Sequence, residues 1–291
     1  MQTLKTIGDF LYESSRRLLE AGIDTGSLEA SLLLGRATGY DRLGLITRTA
    51  DTLSAEQARA FEELMDRRLR REPLQYILGE TEFMGLPFQV SPEVLIPRPD
   101  TETLVESVLD LEEERMASDT VWAVDVGTGS GAIAISLAKS LPYMKVIAID
   151  ISPEAIALAK ANAARLGVEG QVEFRLGDGL APLDRPVKYL VSNPPYIAES
   201  EMAGLEPEVR DYEPHLALTP GEDALKWYRH FAEEGVRLVE PGGYICLEVG
   251  AGQARQVAGF LEALPEAWEK PIIQNDISRI ERVVIARRRP A

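Results

Sequence analysis

The sequence predicts an α/β fold, in which a doubly wound, mostly parallel sheet follows a small all-helical domain and a β-hairpin linker. From residue 120 onward, apolar strands alternate with helices, which is typical of a parallel sheet covered on both faces. Residues 1–73, by contrast, show only helical periodicity. We therefore expect a helical domain over 1–73, a hairpin linker over 74–97 and an α/β domain over 98–291.

Three helices are predicted in the first domain. Residues 6–21 and 27–38 each place apolar side chains on one helical face, and Gly39 ends the second stretch. The sequence Ser54-Ala55-Glu56-Gln57 is a capping box, in which the Ser54 hydroxyl and the Gln57 side chain satisfy free backbone N–H groups. A third helix should therefore begin there and continue through Leu69.

Residues 74–97 have a different character. The stretches 74–79 and 86–90 alternate and are rich in strand formers, with glycines between them, and this pattern predicts a hairpin. Pro99 cannot lie inside a helix, whereas Asp100 or Thr101 is a good N-cap. A helix is expected from there to about residue 114.

The α/β domain should contain seven strands. They are predicted at 121–126, 146–149, 172–175, 187–191, 243–249, 272–274 and 281–286, with helices at 132–140, 153–166, 224–239 and 253–263. The last two strands are adjacent in sequence, as an antiparallel edge would be.

Charge and composition exclude several functions. The formal net charge is -16, and almost all of it falls after residue 72, where 35 acidic side chains face 20 basic ones. Proteins that grip nucleic acid by its phosphates need a basic surface, so free DNA or RNA is disfavoured. The single cysteine excludes a disulfide framework and a multi-cysteine metal site, and no metal is expected.

The sequence also predicts where the protein acts. No stretch approaches the ~20 apolar residues of a membrane helix. The first residues lack the continuous apolar core of a signal peptide. With one cysteine, a reducing cytoplasm is the expected location, and no membrane partner is expected.

A glycine-rich turn marks a candidate ligand site. Residues 125–131, Asp-Val-Gly-Thr-Gly-Ser-Gly, lie where the first strand of the α/β domain meets its helix. In a doubly wound sheet this turn borders the ligand crevice, and glycines let the backbone approach a ligand closely. Asp150, at the end of the next strand, can accept hydrogen bonds from ribose hydroxyls. The alternative is a tight turn without a ligand, with Asp150 capping the next helix.

The glycine spacing helps to identify the ligand. The dinucleotide fingerprint is G-x-G-x-x-G, which disfavours a nicotinamide dehydrogenase here. The G-x-G-x-G spacing after Asp125 instead resembles motif I of class I S-adenosylmethionine-dependent methyltransferases. This resemblance implies that S-adenosylmethionine is the cofactor. It assigns the methionine part to the loop and the ribose to Asp150, and it places Asp178 and Gly179 at the adenine. The implied loop residues are Gly127, Thr128, Gly129, Ser130 and Gly131.

The tetrapeptide Asn193-Pro194-Pro195-Tyr196 follows the fourth strand. It could simply end that strand, because two prolines cannot extend it. The chemistry of a planar NH2 group gives it another meaning. The Asn193 side-chain oxygen can accept one N–H, the Pro194 carbonyl can accept the other, and the Tyr196 ring can lie on the planar group. Such positioning can supply roughly 7–11 kcal/mol without a general base.

This tetrapeptide resembles the signature of methyltransferases that act on planar NH2 groups. Their substrates are adenine in DNA, adenine or guanine in RNA, and glutamine side chains in proteins, and the tetrapeptide does not choose among them. The acidity of the α/β domain favours a protein substrate over free nucleic acid.

Further stretches resemble one family. They are 75–79 (Gln-Tyr-Ile-Leu-Gly), 95–102 (Leu-Ile-Pro-Arg-Pro-Asp-Thr-Glu), 125–134, 191–197, 212–214 (Tyr-Glu-Pro) and 217–218 (Ala-Leu). In this order they resemble the PrmC/HemK family of protein-(glutamine-N5) methyltransferases. The resemblance implies methylation of the glutamine in the Gly-Gly-Gln loop of class I peptide chain release factors. It also implies that 98–291 is the methyltransferase domain and that the helical domain over 1–73 helps to hold the release factor.

The resemblance also implies roles for the tetrapeptide. Asn193, Pro194 and Tyr196 become the catalytic residues, Pro195 joins them in binding substrate, and Asn193 also faces the cofactor. We expect a monomer. Two other classes stay open, a nucleic-acid N-methyltransferase and a non-catalytic module with a vestigial pocket.

Three further features lead to expectations. Gly179 stands where some family members carry a bulky aromatic residue beside the adenine, so stacking should be weaker or come from elsewhere. Residues 197–221 form a long connection, as substrate-facing lids do. Residues 98–102 either cap a helix and pair charges or border the cofactor entrance, and Trp122 and Trp227 are interpreted as packing residues.

Overall fold

The computed structural model describes residues 5–115 and 119–290 of the chain. They form two compact units. The helical unit runs to Gly79 and includes Glu206–Tyr212, and the α/β unit comprises Glu80–Leu205 together with the chain from Glu213. Within the described ranges, no helix is both long and apolar enough to cross a membrane.

The helical unit begins with five helices. They are α1 (Ile7–Glu20), α2 (Gly26–Thr38), α3 (Arg42–Thr47), α4 (Ala55–Leu69) and α5 (Leu74–Leu78). The predicted capping box is confirmed, because the Ser54 hydroxyl accepts the Gln57 N–H and the Gln57 side chain accepts the Ser54 N–H. Leu18, Leu33 and Phe61 are fully buried and form the core of this unit. The short α3, capped by Asp41, was not predicted.

The predicted strand over 74–79 is wrong, because this stretch forms α5. A short apolar run does not distinguish helix from strand by its periodicity. Gly79 decides the outcome, since it adopts the left-handed conformation that ends helices and donates its N–H to Gln75 at 2.7 Å. The hairpin follows directly, with β1 (Glu80–Phe83) antiparallel to β2 (Leu86–Gln89).

The remaining elements alternate along the chain. They are α6 (Glu102–Arg115), β3 (Val121–Val126), α7 (Ala132–Ser140), β4 (Met144–Asp150), α8 (Pro153–Leu166), β5 (Val172–Leu176), β6 (Val187–Ser192), α9 (Pro207–Tyr212), α10 (His215–Leu218), α11 (Lys226–Leu238), β7 (Val239–Glu248), α12 (Ala254–Glu262), β8 (Ile272–Asn275) and β9 (Glu281–Arg287). Short 3-10 turns precede α6 (Pro99–Thr101) and α9 (Glu199–Gly204).

The sheet confirms the predicted fold class. Its seven strands lie in the order β5-β4-β3-β6-β7-β9-β8. The strands from β5 to β7 pair in parallel, whereas β9 runs antiparallel to both β7 and β8. The pair β9 and β8 therefore forms the predicted antiparallel edge, with β8 outermost. After β5 the chain crosses to the other half of the sheet, so the topological switch point lies between the neighbouring strands β3 and β6. In such sheets ligands bind beside this switch point.

Both faces of the sheet are covered by apolar clusters. Ala123, Val146 and Tyr189 pack on one face with α6 and α7. Val124 and Leu190 pack on the other, with α11 and α12. The sheet core is therefore rigid, and the carboxyl ends of its strands form a fixed platform for a site.

The long connection over 197–221 contains short helices rather than an irregular loop. Its helix α9 belongs to the helical unit, where Glu208 accepts hydrogen bonds from Arg68 at 3.0 Å and from Arg71 at 2.8 Å. The Tyr212 hydroxyl donates to the Arg70 carbonyl at 2.7 Å. These contacts hold α9 on α4 and the turn that follows it.

Candidate active site

A cavity of about 410 Å³ lies at the carboxyl ends of β3, β4 and β6. It brings together most of the sequence-predicted site residues. Those that line it are Gly127, Gly129, Asp150, Asp178, Gly179, Asn193, Pro194 and Pro195. Further walls come from residues 93–95, from the segment 214–220 and from the start of α11.

The glycine turn presents its backbone to this cavity. Gly127 and Gly129 have positive φ values of 76° and 54°, and a Cβ added to either would meet no atom within 4 Å. Gly131 differs, because a Cβ there would lie 2.7 Å from Ile135 Cδ1 and 3.1 Å from Ala159 Cβ. Two glycines therefore open the turn to a ligand, and the third allows close packing between α7 and α8.

The turn is shaped by Asp125, which is fully buried below it. Its Oδ2 accepts the Thr128 hydroxyl at 2.6 Å and the Ala134 N–H at 3.2 Å. Burial raises the pKa of Asp125 to about 7, although both hydrogen bonds oppose the shift. Thr128 and Ser130 are themselves buried, and neither lines the cavity. The Thr128 side chain supports the turn through Asp125, and the Ser130 backbone carbonyl accepts Asn162 Nδ2 at 2.9 Å.

Asp150 links β4 to the glycine turn. Its Oδ2 accepts the Gly129 N–H at 2.8 Å and its Oδ1 accepts the Ser152 N–H at 3.0 Å. Burial raises the pKa of Asp150, and these backbone hydrogen bonds limit the rise. Each carboxylate oxygen keeps a lone pair for a further donor, so Asp150 can receive hydroxyl groups from the cavity it lines.

Asn193 leaves the sheet at the end of β6. Ser192 pairs in register with Leu247, so the next residues, Asn193 and Glu248, emerge side by side at the same edge. Asn193 Nδ2 donates to Thr101 Oγ1 at 3.2 Å, and the side chains of Asn193 and Thr101 lie close enough to the Glu248 carboxylate to lower its pKa. A carboxylate only accepts hydrogen bonds, so it holds the NH2 end of the Asn193 amide and leaves Oδ1 for another donor.

Sequence reasoning did not find Glu248. Its side chain is 1% exposed, and its Oε2 is buried without a hydrogen-bond partner in the described part of the chain. Burial raises the pKa of Glu248 to about 7, against the hydrogen bonds from Thr101 and Asn193 and the charge of Arg282. One signal could have found it, because Glu248 stands near the carboxyl end of a predicted strand, where site residues of such sheets gather.

Tyr196 occupies a different position from its neighbours in the tetrapeptide. A Cβ added to Gly250 would lie 2.9 Å from Tyr196 Cδ2, and the Tyr196 carbonyl accepts Gln253 Nε2 at 2.9 Å. Burial raises the pKa of its hydroxyl, as does the nearby charge of Glu248. The ring packs beside the end of β7 and does not line the cavity. Its predicted contact with a substrate amide stays a prediction.

An ion pair connects two walls of the cavity. The Arg98 guanidinium donates to Glu213, whose side chain is buried and also accepts the Ile96 N–H at 3.4 Å. Leu95 lines the cavity just before Ile96, and Pro214 lines it just after Glu213. The segment around Arg98 thus anchors the 214–220 wall through the charge pairing that the sequence also allowed.

Two remaining expectations concern aromatic packing and metals. Trp122 packs under the Arg185 guanidinium, as expected of a packing residue. Trp227 packs on the core, but it also lines the cavity beside Gly179. Over the described residues, no three His, Cys, Asp or Glu side chains are arranged to hold a metal ion.

The seven-stranded sheet and its glycine turn define a class I methyltransferase domain. Residues 9–79 match the family model described as PrmC N-terminal domain, and residues 101–205 match the one described as methyltransferase small domain. A methyltransferase structure from Pyrococcus furiosus covers 78% of this chain and 99% of its own, with 17% identity and a TM-score of 0.51. That likeness supports the fold alone.

Curated relatives identify the family. The release factor glutamine methyltransferase of Geobacter sulfurreducens is 45% identical over 84% of this chain and 84% of its own length. That of Cereibacter sphaeroides is 42% identical over 96% of this chain and 97% of its own length. The chain belongs to the release factor glutamine methyltransferase family and is an enzyme of that kind.

Proposed function

We propose that this enzyme methylates the side-chain amide nitrogen of the glutamine in the Gly-Gly-Gln loop of class I peptide chain release factors. The proposed methyl donor is S-adenosylmethionine, and the proposed place of action is the cytoplasm. The observation that carries the proposal is that Asn193 and Pro194 line the same cavity as the glycine turn and Asp150.

The residues of the cavity fit S-adenosylmethionine. The open faces of Gly127 and Gly129 leave room for a ligand against the backbone, and Asp150 can accept ribose hydroxyls. The cavity is lined by three acidic side chains, Glu93, Asp150 and Asp178, against one basic side chain, Lys226. This balance suits a cofactor with a net positive charge. When bound there, S-adenosylmethionine supplies an electrophilic methyl group on a sulfonium centre.

The chain itself orients the nitrogen that is to be methylated. The Asn193 Oδ1 accepts one N–H of the glutamine amide, because Thr101 and Glu248 hold the other end of the Asn193 side chain. The carbonyl of Pro194 accepts the second N–H, and the adjoining proline keeps that carbonyl rigid. The amide plane is thereby fixed. Its nitrogen becomes strongly acidic once methylated and releases its proton without a general base.

The choice of a protein substrate has two supports. The relatives named above carry the name release factor glutamine methyltransferase. The chain beyond residue 72 carries most of the net charge of -16, which disfavours a phosphate backbone as the partner. A release factor loop is a neutral peptide that can enter the cavity, and the helical unit is proposed to hold the rest of the factor.

The test is direct methylation. The purified enzyme is incubated with S-adenosylmethionine and, separately, with a release factor, ribosomal RNA and duplex DNA. We expect one added methyl on the glutamine-containing peptide by mass spectrometry, and none on a release factor whose loop glutamine is replaced by asparagine. An unmodified glutamine together with a methylated base would overturn the proposal in favour of a nucleic-acid N-methyltransferase. Failure of the enzyme to bind S-adenosylmethionine would favour a non-catalytic module.

A further inference from the structure

Residue 179 follows Asp178 on the turn after β5 and lines the cavity. It is a glycine, so it presents no aromatic side chain to a ligand. We propose that Trp227, at the start of α11, supplies the aromatic surface against which the adenine ring of S-adenosylmethionine lies. This inference rests on the proposed function, because it assigns a cofactor contact in the same cavity.

Trp227 occupies the space that a side chain on residue 179 would need. A Cβ added to Gly179 would lie 2.8 Å from Trp227 Cζ3 and 3.4 Å from Cη2. Gly179 also has a φ of 53°, a conformation that L side chains rarely adopt. The two residues are therefore complementary. Glycine at 179 makes room for the indole of Trp227, and that indole takes the place of an aromatic residue at 179.

The indole is held rigidly. Trp227 stacks on Phe231 with ring centroids 5.8 Å apart and an interplanar angle of 27°. His230 meets its edge at 5.9 Å and 72°. All three residues lie on α11, and Phe231 is almost fully buried in the core. A ring fixed in this way loses little conformational entropy when a ligand stacks on it.

The side chain of Lys226 lies over the Trp227 ring and contacts it only weakly. Its Nζ lies 5.0 Å from the centre of the Trp227 ring, and its side chain is exposed. A cation–π contact at an exposed site is worth only about 0.5–1 kcal/mol. A flat neutral base can therefore displace the ammonium group, which stays solvated beside it.

The place of Trp227 in the cavity favours adenine over the methionine part of the cofactor. Trp227 lies beside Gly179 and Asp178, whereas the open glycine turn and Asp150 lie at the ends of β3 and β4. Stacking on an aromatic side chain depends on a planar π-face, which adenine has and methionine lacks. Adenosine, without the methionine part of the cofactor, should therefore be enough to stack on Trp227.

The test uses intrinsic fluorescence and calorimetry of the full chain with two probes, S-adenosylhomocysteine and adenosine. Both should quench the fluorescence of the wild-type protein, and methionine should not. Trp227→Phe should lose most of the quench while binding either probe within about threefold of wild type. Trp227→Ala should raise both dissociation constants about tenfold or more.

Trp122→Phe is the matched control. Trp122 lies near the start of β3, several residues before the cavity, so this variant should keep the quench. The Trp227 inference fails if Trp227→Phe keeps the wild-type quench, or if a folded Trp227→Ala binds adenosine as tightly as wild type. Should Trp227→Ala not fold, the phenylalanine variant still decides. A wild-type protein that binds neither probe would refute the proposed function itself.

Discussion

The amide nitrogen of Asn193 donates to the hydroxyl of Thr101 at 3.2 Å, which joins the end of β6 to the turn that precedes α6. Thr101 is buried, and it shares the Glu248 carboxylate with Asn193. The side chain that is proposed to orient the substrate is therefore itself held by two residues from distant parts of the chain.

The first prediction concerns Asn193. Asn193→Ala removes the oxygen that is proposed to accept the substrate amide N–H, so kcat should fall at least 100-fold, or about 3 kcal/mol of transition-state stabilisation. Binding of S-adenosylmethionine, measured by calorimetry, should remain. A variant that methylates release factor within a fewfold of the wild-type rate would falsify the assigned role.

The second prediction separates orientation from substrate contact. Thr101→Val keeps the volume of the side chain but removes the hydroxyl that accepts from Asn193 Nδ2. The Asn193 amide then loses one of its two anchors, and kcat should fall about tenfold, the equivalent of one hydrogen bond. Thr101→Ser keeps the hydroxyl and is the control, expected to retain most of the wild-type rate. Equal rates for Thr101→Val and Thr101→Ser would show that the hydroxyl has no part in positioning.

The third prediction concerns the charge of Glu248. Burial raises its pKa to about 7, so the carboxylate becomes protonated as the pH falls through that value. Once protonated, the Glu248 carboxyl is a hydrogen-bond donor that faces another donor, the NH2 group of Asn193. Glu248 then no longer holds the Asn193 amide in its orientation, so kcat should decline below about pH 7. Arg282, Asp100, Tyr196 and Tyr228 interact with the same carboxylate. Glu248→Gln should lower kcat at pH 8 and flatten this acidic limb of the pH–rate profile, leaving only the part due to Asp125, whose pKa is also raised to about 7. A purely structural role of Glu248 would leave the limb unchanged.

The fourth prediction is that the stability of the fold falls as the pH rises, whereas kcat increases. Because the pKa of Glu248 is raised from 4.5 to about 7, the folded state binds more protons than the unfolded state between these values. The free energy of unfolding therefore falls as the pH rises through that window. Glu248→Gln removes this penalty, so its Tm at pH 8 should exceed that of the wild type even as its rate drops. A lower Tm together with an unchanged pH profile would indicate that Glu248 only supports the fold.

Sequence patterns predicted the sheet well because its central strands, β3, β4 and β6, are buried on both faces and read as nearly continuous apolar runs. They also predicted the capping box of α4, which is a local signal. The stretch 74–79 was mispredicted because five residues carry too little periodicity, and Gly79 as a helix cap decided the result.

Residues of the candidate site were predicted where they belong to a contiguous sequence motif. They were missed where the fold brings together residues that are distant in sequence. Gly127, Asp150 and Asn193 stand at strand ends that are readable from sequence, and all of them line the cavity. Thr101 and Glu248 meet Asn193 only because β6 and β7 are adjacent and the turn before α6 lies over their ends. No local sequence pattern indicates that Thr101 and Glu248 lie beside Asn193. The contact of Trp227 with Gly179 likewise depends on the fold and not on a local pattern.

The last prediction concerns the helical unit, where Arg68 is 5% exposed and bonds both Glu29 and Glu208. Removing one partner of a buried ion pair leaves a charge without compensation, so Arg68→Met should destabilise this unit by about 3–5 kcal/mol. Because the chain has two compact units, a single Tm does not report on the helical unit alone, and hydrogen–deuterium exchange in α2 and α4 is the appropriate measurement.

Two further variants test this explanation for Arg68. Arg59→Met removes one side of the exposed Arg59–Glu63 pair, whose atoms are 4.0 Å apart, and it should change exchange very little. Adding Glu29→Met to Arg68→Met removes the stranded carboxylate, while Glu208 keeps its bond to Arg71 at 2.8 Å. That double variant should recover part of the lost protection. If it is less stable than Arg68→Met alone, packing around Arg68 rather than charge compensation holds this part of the unit together.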